Sequence, residues 1–168
     1  MKVKNIVGII LNILIVIVVI VVLIVLFGVV QTKILKTEYS NYFGYSIFQV
    51  ATGSMSPAIE TKDIILVHIL NETQKEELKE GDIIVFKQDS GIITHRITKI
   101  SEDKITTKGD ANNTEDNPIQ KEDIIGKVVK IIPQIGVWEK VISAPQVYIS
   151  ILITIVLWGI TLSYSARE

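Results

Sequence analysis

One apolar stretch limits what this chain can fold into more than any other feature. From Ile6 to Val30 nearly every residue is Ile, Val or Leu, and Asn12 is the one strongly polar member. A helix crossing the hydrocarbon core of a bilayer needs roughly 20 such residues, so this stretch is long enough to span. A cleavable leader has a shorter apolar core followed by a small-x-small cleavage site. Here the exit reads Val29-Val30-Gln31-Thr32-Lys33, and the stretch is read as an anchor that stays attached. Hydrophobic residues make up 48% of the chain and mean hydropathy is +0.44, too apolar for an ordinary soluble domain of 168 residues.

A second apolar stretch runs from Val147 to about Leu162, after Pro145 and before Arg167 and Glu168. It is shorter and carries Ser150, Thr154 and Thr161, and is read as a second span. Two spans put both termini on one side of the bilayer. Lys2 and Lys4 before the first helix are balanced by Lys33 and Lys36 after it, so positive charge does not orient it. The expected organisation is a membrane anchor helix over residues 1–32, a β-rich domain over 33–144, and a transmembrane helix with a short tail over 145–168.

The net charge is -1 and the Lys and Arg residues are scattered, which points away from a nucleic-acid partner. The absence of cysteine excludes thiol catalysis, Cys-ligated zinc and disulfides together.

Between the apolar stretches the sequence turns polar, with short Ile- and Val-rich segments bounded by Gly, Asp, Asn or Pro. Tyr45 to Val50, Ile64 to Leu70, Asp82 to Phe86, Ile92 to Ile100, Lys104 to Thr107 and Ile124 to Ile132 read as strands. Glu72 to Glu80 is the one helix-prone stretch, polar all round, and reads as a single surface turn or a loop. Strands and helices do not alternate as βαβ units, so the fold class expected is mainly β, in one compact domain between two transmembrane helices.

Chemistry concentrates at Thr52-Gly53-Ser54-Met55-Ser56-Pro57, which follows a strand. Glycine before serine leaves room for a substrate backbone and tolerates unusual dihedrals, and Pro57 restrains Ser56 to extended geometry. Ser54 is therefore the better-presented hydroxyl and Ser56 the next candidate, while a plain loop stays open as a reading. A serine hydroxyl is nearly inert near neutral pH without a base.

The chain has two histidines. In Ile92-Ile93-Thr94-His95-Arg96-Ile97-Thr98, period-2 alternation puts His95 on one face with Ile93 and Ile97, where partial burial would hold the ring still. His68, between Leu66 and Leu70, has no accompanying motif and reads as structural. An ordinary imidazole titrates near pH ~6.5, so such a base works near neutrality, with activity rising through about pH 6 to 7. The third element, Lys108-Gly109-Asp110-Ala111-Asn112-Asn113-Thr114-Glu115-Asp116-Asn117-Pro118, offers three carboxylates that could orient the imidazole. It is not an EF-hand loop, which needs glycine at its sixth position, where Glu115 stands. A solvated turn is the other reading.

In this order, Gly-Ser-Met-x-Pro, Gly-Asp-Ile-Ile-Val-Phe, Thr-His-Arg-Ile and Lys-Gly-Asp-x-Asn-Asn resemble type I signal peptidases, over roughly Ile47 to Gly136. The resemblance is to the endoplasmic-reticulum and archaeal branch, also found in some Gram-positive bacteria, because His95 stands where the bacterial majority type has lysine. It implies a β-rich peptidase domain facing outward or into a lumen, with cytoplasmic termini. It also implies a serine endopeptidase that removes signal peptides from preproteins after small residues at the first and third positions before the cut. On the matched positions, Ser54 corresponds to the nucleophile and His95 to the base. Asp116, six residues after Asp110, matches the triad aspartate and is favoured, with Asp110 second. Thr52 matches a hydroxyl that helps hold the oxyanion, the Ser54 amide being the other donor. No metal or cofactor is required; the lipid bilayer is a partner, and accessory subunits stay open.

Two positions depart from the family pattern: Lys62-Asp63 stands where Gly-Asp is common, and Ala111 where Asn often follows the aspartate. Two other readings remain: a narrow-specificity membrane protease maturing a few surface or fibre proteins, and a non-catalytic membrane adaptor. Asn71-Glu72-Thr73 and Asn112-Asn113-Thr114 have the form of glycosylation sequons, a pattern that also arises by chance.

Overall fold

The structure is a computed structural model and describes residues 2–88, 91–102, 104–134 and 144–165. It divides into two compact units, one formed by Met1–Lys36 with Trp138–Glu168 and the other by Thr37–Val137. The domain boundary expected at residue 144 adjoins residues 135–143, and the short tail takes in residues 166–168, all outside the described residues.

In the first unit, helix α1 (Lys2–Val29) continues into a π-helical turn, Val30–Ile34, where the Thr32 hydroxyl donates to the Gly28 carbonyl at 3.0 Å. Asn12–Ile34 is, among the described residues, the one helical segment long and apolar enough to cross a membrane; its bounds sit a few residues later than the sequence suggested. The second apolar stretch is also a helix, Pro145–Ser165.

The second unit is built on one seven-stranded antiparallel sheet. Its strands are β1 (Tyr45–Gln49), β2 (Ile64–Ile69), β3 (Ile83–Gln88), β4 (Gly91–Ile100), β5 (Lys104–Lys108), β6 (Ile119–Gln120) and β7 (Ile124–Ile132). They lie in the order β1-β2-β7-β3-β4-β5-β6. All pairings are antiparallel, as the missing βαβ pattern implied. Six of the strands were legible as runs of β-branched residues. The seventh, β6, is two residues long and follows Asn117-Pro118, so it offers no alternation to read.

Successive residues of a strand point to opposite faces, and this sheet is covered on both. Ile84 and Phe86 join Leu78, Ile97, Ile105, Ile119 and Ile124 in one cluster; Val85, between them, joins Met55, Ile59, Ile65, Val67 and Ile125 in another. This is why β3 is a continuous apolar run rather than an alternating one. Each fully buried Ile or Phe contributes roughly 1.5–3 kcal/mol of transfer free energy.

The segment expected to be polar all round is corrected. Its helix α2 covers Glu72–Lys75, opened by a reciprocal cap between Asn71 and Gln74. Leu78, just beyond, is buried in the first cluster, and Lys75 is buried with its ammonium on Glu72. A single leucine in a charged stretch is too weak a periodic signal to reveal a buried face.

Candidate active site

Ser54 lies on the loop between β1 and β2, and backbone bonds close that loop at its base: Val50 N–H to Asp63 O at 2.9 Å and Lys62 N–H to Val50 O at 2.8 Å. The buried Asp63 carboxylate accepts from the amides of Glu60 and Gln134, at 2.9 and 2.8 Å. Lys62 adopts φ 75°, in the left-handed region that costs an L-residue about 1 kcal/mol or more. The family's preference for glycine there has this physical reason, and the departure bears on the loop's backbone alone.

Within the loop, a turn from Gly53 to Ser56 (N–H to O, 3.0 Å) leads into one helical turn from Met55 to Ile59. Met55 and Ile59 are fully buried and pin the turn, leaving Ser54 half-buried between them and solvent. Gly53 does not use glycine's dihedral freedom, contrary to the sequence reading. A Cβ there would meet Thr61 Oγ1 at 3.7 Å, an ordinary contact. The Ser56 hydroxyl donates to Glu60 Oε1 at 2.7 Å and does not join the site.

His95 sits in mid-β4, paired with Ile84 of β3, and shows the expected alternation: His95 and Ile97 buried, Arg96 between them half-exposed. Its Nε2 is 3.1 Å from Ser54 Oγ, and its Nδ1 is 2.6 Å from Asp116 Oδ2. A carboxylate only accepts, so Nδ1 carries the proton and Nε2 offers its lone pair to the serine hydroxyl. Phe86 packs against the imidazole edge-on, with ring centroids 6.3 Å apart. The three side chains form one hydrogen-bonded line.

Asp110 is elsewhere. Its carboxylate takes Arg96 Nε at 2.9 Å and Nη2 at 2.7 Å in a two-pronged pair, while Arg96 Nη1 donates to Gly81 O at 2.9 Å. Hydrogen bonding to Asp110 raises the Arg96 pKa above that of a free guanidinium, against the opposing effect of burial. Neighbouring residues of β4 thus serve two ends: His95 turns inward to Ser54 and Asp116, and Arg96 holds the start of the acidic loop.

The acidic loop also grips the serine turn directly. Ala111 N–H donates to Ser54 O at 2.8 Å, a backbone bond indifferent to the side chain, so alanine at this departing position leaves the contact intact. Gly109 is required by the same approach: a Cβ there would stand 2.7 Å from Ser54 O and 2.8 Å from Asn112 Nδ2. We expect Gly109→Ala to displace the Ser54 turn, with a stability loss of about 1–3 kcal/mol from overpacking, read by thermal unfolding. Wild-type stability would mean that the loop yields without strain.

A cleft of about 460 Å³ opens beside Ser54 and His95, walled by Val50, Ala51, Thr52 and Ile92. Thr52 Oγ1 lies 3.4 Å from Ser54 Oγ. His68 is on β2 with its ring 5.0 Å from that of Tyr45, and takes no part in the line. Among the described residues no group of three or more His, Cys, Asp or Glu side chains could hold a metal ion. The partners of Thr107, Gly109 and Arg96 escaped the sequence reading, because a threonine or arginine in a strand or a glycine in a loop carries no mark of its long-range contact.

The sequence matches the Peptidase S24-like family over residues 31–129, more than half the chain. The chain belongs to this family. Within the Peptidase S24-like family it resembles named signal peptidases of the branch that the motifs suggested. It is 39% identical to signal peptidase I W of Bacillus subtilis over 88 residues, 49% of this chain and 45% of the relative. It is 30% identical to the human signal peptidase complex catalytic subunit SEC11C over 105 residues, 54% of this chain and 53% of the relative. A fungal sec11 catalytic subunit, from Sclerotinia sclerotiorum, is 32% identical over 125 residues, 61% of this chain and 72% of the relative. The chain spans about half the length of the bacterial and human relatives.

Proposed function

We propose that this chain is a membrane-bound serine endopeptidase that removes signal peptides from exported preproteins, with Ser54 as nucleophile, His95 as base and Asp116 as the carboxylate that orients it. The observation that carries this reading is the unbroken line from Asp116 through His95 to Ser54 beside an open cleft, in a member of a peptidase family.

The chemistry follows from the atoms. As Ser54 Oγ attacks a peptide carbonyl carbon, its proton passes to His95 Nε2, and Asp116 stabilises the imidazolium. The carbonyl oxygen becomes an oxyanion, for which the Ser54 amide and the Thr52 hydroxyl are the proposed donors. When the C–N bond breaks, His95 returns the proton to the leaving amine and an acyl-enzyme remains. Water then attacks with the same proton relay in reverse and frees Ser54.

The membrane reading rests on exposed apolar side chains. Ile13, Leu14, Leu23 and Leu26 in the first helix, and Ile149, Leu152 and Ile153 in the C-terminal helix, are each at least half exposed and gain stability from lipid. At 1.5 Å per residue, the 21 residues of Pro145–Ser165 reach about 30 Å, the length a span needs, and this length supports reading the less apolar C-terminal helix as the second span. Both termini are then cytoplasmic and the β-domain lies on the far side, where a preprotein tethered by its own apolar segment meets it at raised effective concentration.

Purified full-length protein in detergent, given a panel of preproteins, tests the reading. Cleavage at one bond after small residues at the first and third positions before it, lost when the first is made bulky, is the expected result. Cleavage confined to a few leaderless surface proteins would replace it with a maturation protease, and no cleavage by folded protein with an adaptor.

A further inference from the structure

Thr107 lies on β5, opposite Ile97 of β4, and is completely buried. It meets Asp116 twice. Its carbonyl accepts the Asp116 amide at 2.8 Å, and its hydroxyl donates to Asp116 Oδ2 at 2.7 Å. That oxygen is the one His95 Nδ1 approaches at 2.6 Å, so one carboxylate oxygen takes two donors from adjacent strands.

Geometry makes the second donor consequential. Asp116 belongs to the loop between β5 and β6, and its side chain is partly open to solvent. Without a second restraint its carboxylate can rotate about the Cα–Cβ and Cβ–Cγ bonds, and the imidazole loses a fixed reference. A β-branched side chain in a strand has restricted χ1, so the Thr107 hydroxyl is held where it is needed. A buried hydroxyl also requires a partner, which couples the carboxylate's position to the packing of β5 against β4.

We propose that Thr107 is a positioning residue for the peptidase reaction: its hydroxyl locks the Asp116 carboxylate in the orientation that aligns His95 with Ser54. The proposal rests on the triad reading above. Thr107 touches neither substrate nor the reacting atoms; it acts through Asp116. Valine copies threonine's shape without the donor, so Thr107→Val removes the restraint on Asp116 while keeping the packing of β5 against β4.

The test is steady-state cleavage of a preprotein by the full-length wild type, Thr107→Val, Thr107→Ser, Asp116→Ala and the double variant Asp116→Ala/Thr107→Val, with thermal unfolding of each. Expected for Thr107→Val is a fall in kcat of about tenfold with KM within about twofold, the loss that goes with one charge-assisted hydrogen bond. Thr107→Ser, which keeps the donor, should recover most of kcat. In the Asp116→Ala background the valine substitution should change kcat by less than about twofold, since there is no carboxylate left to position. Wild-type kcat in folded Thr107→Val, or the same tenfold loss persisting without Asp116, overturns the proposal. Wild-type turnover by Asp116→Ala would instead bring down the triad reading, a separate and recognisable failure.

Discussion

Ser54→Ala is expected to lower preprotein cleavage at least about 10⁴-fold while leaving the thermal unfolding temperature unchanged. In the proposed mechanism the hydroxyl carries the covalent step. The packing that holds the turn belongs to Met55 and Ile59, which the substitution does not touch. His95→Ala should fall as far, because the serine then has no base within reach. The double variant should be no worse than either single one, since members of one proton relay fail together rather than additively. His68→Ala, remote from the line, should cleave as wild type does. Cleavage measured on folded protein, with the unfolding transition recorded alongside, decides the matter. Near-normal turnover by Ser54→Ala would move the nucleophile elsewhere.

The second large effect separates the two aspartates. Asp116→Asn replaces an acceptor-only group facing His95 Nδ1 with an amide that can donate. It therefore favours the tautomer with the proton on Nε2, where the serine needs a lone pair. A loss in kcat of about 10³–10⁴-fold follows. Asp110→Asn acts differently: it weakens the two-pronged pair with Arg96, loosening the start of the acidic loop by about 1 kcal/mol, and should reduce turnover by only about tenfold. Matched kcat values for the two variants test this, and the opposite ranking would assign the orienting role to Asp110.

How far the sequence reading reached depends on the range of the interactions involved. The strands were legible because Ile- and Val-rich segments report local burial. The face of His95 followed from period-2 alternation. Ser54 stood out from its neighbours, though for a partly mistaken reason: burial of Met55 and Ile59, not the dihedral freedom of Gly53, holds it open. The choice of Asp116 came from family resemblance, since spacing alone leaves three carboxylates in one loop. Thr107 was invisible because its strand propensity explained it fully, and the need for glycine at 109 because its near neighbour, Ser54 O, is 55 positions away in the chain. Leu78 was hidden among charges, and β6 was too short to have a pattern.

The line from Ser54 to His95 to Asp116 draws on a loop after β1, the middle of β4 and the loop after β5, with separations of 41 and 21 residues along the chain. No shorter piece of the polypeptide holds two of these groups in contact by local structure. On the reading proposed above, Ser54 meets His95 only when β4 has paired with β3 and β5 and the acidic loop has closed over the Ser54 turn. On the topology proposed above, a chain still being threaded through the bilayer therefore carries an unarmed serine. Completion of the sheet is then the event that would arm the proposed nucleophile.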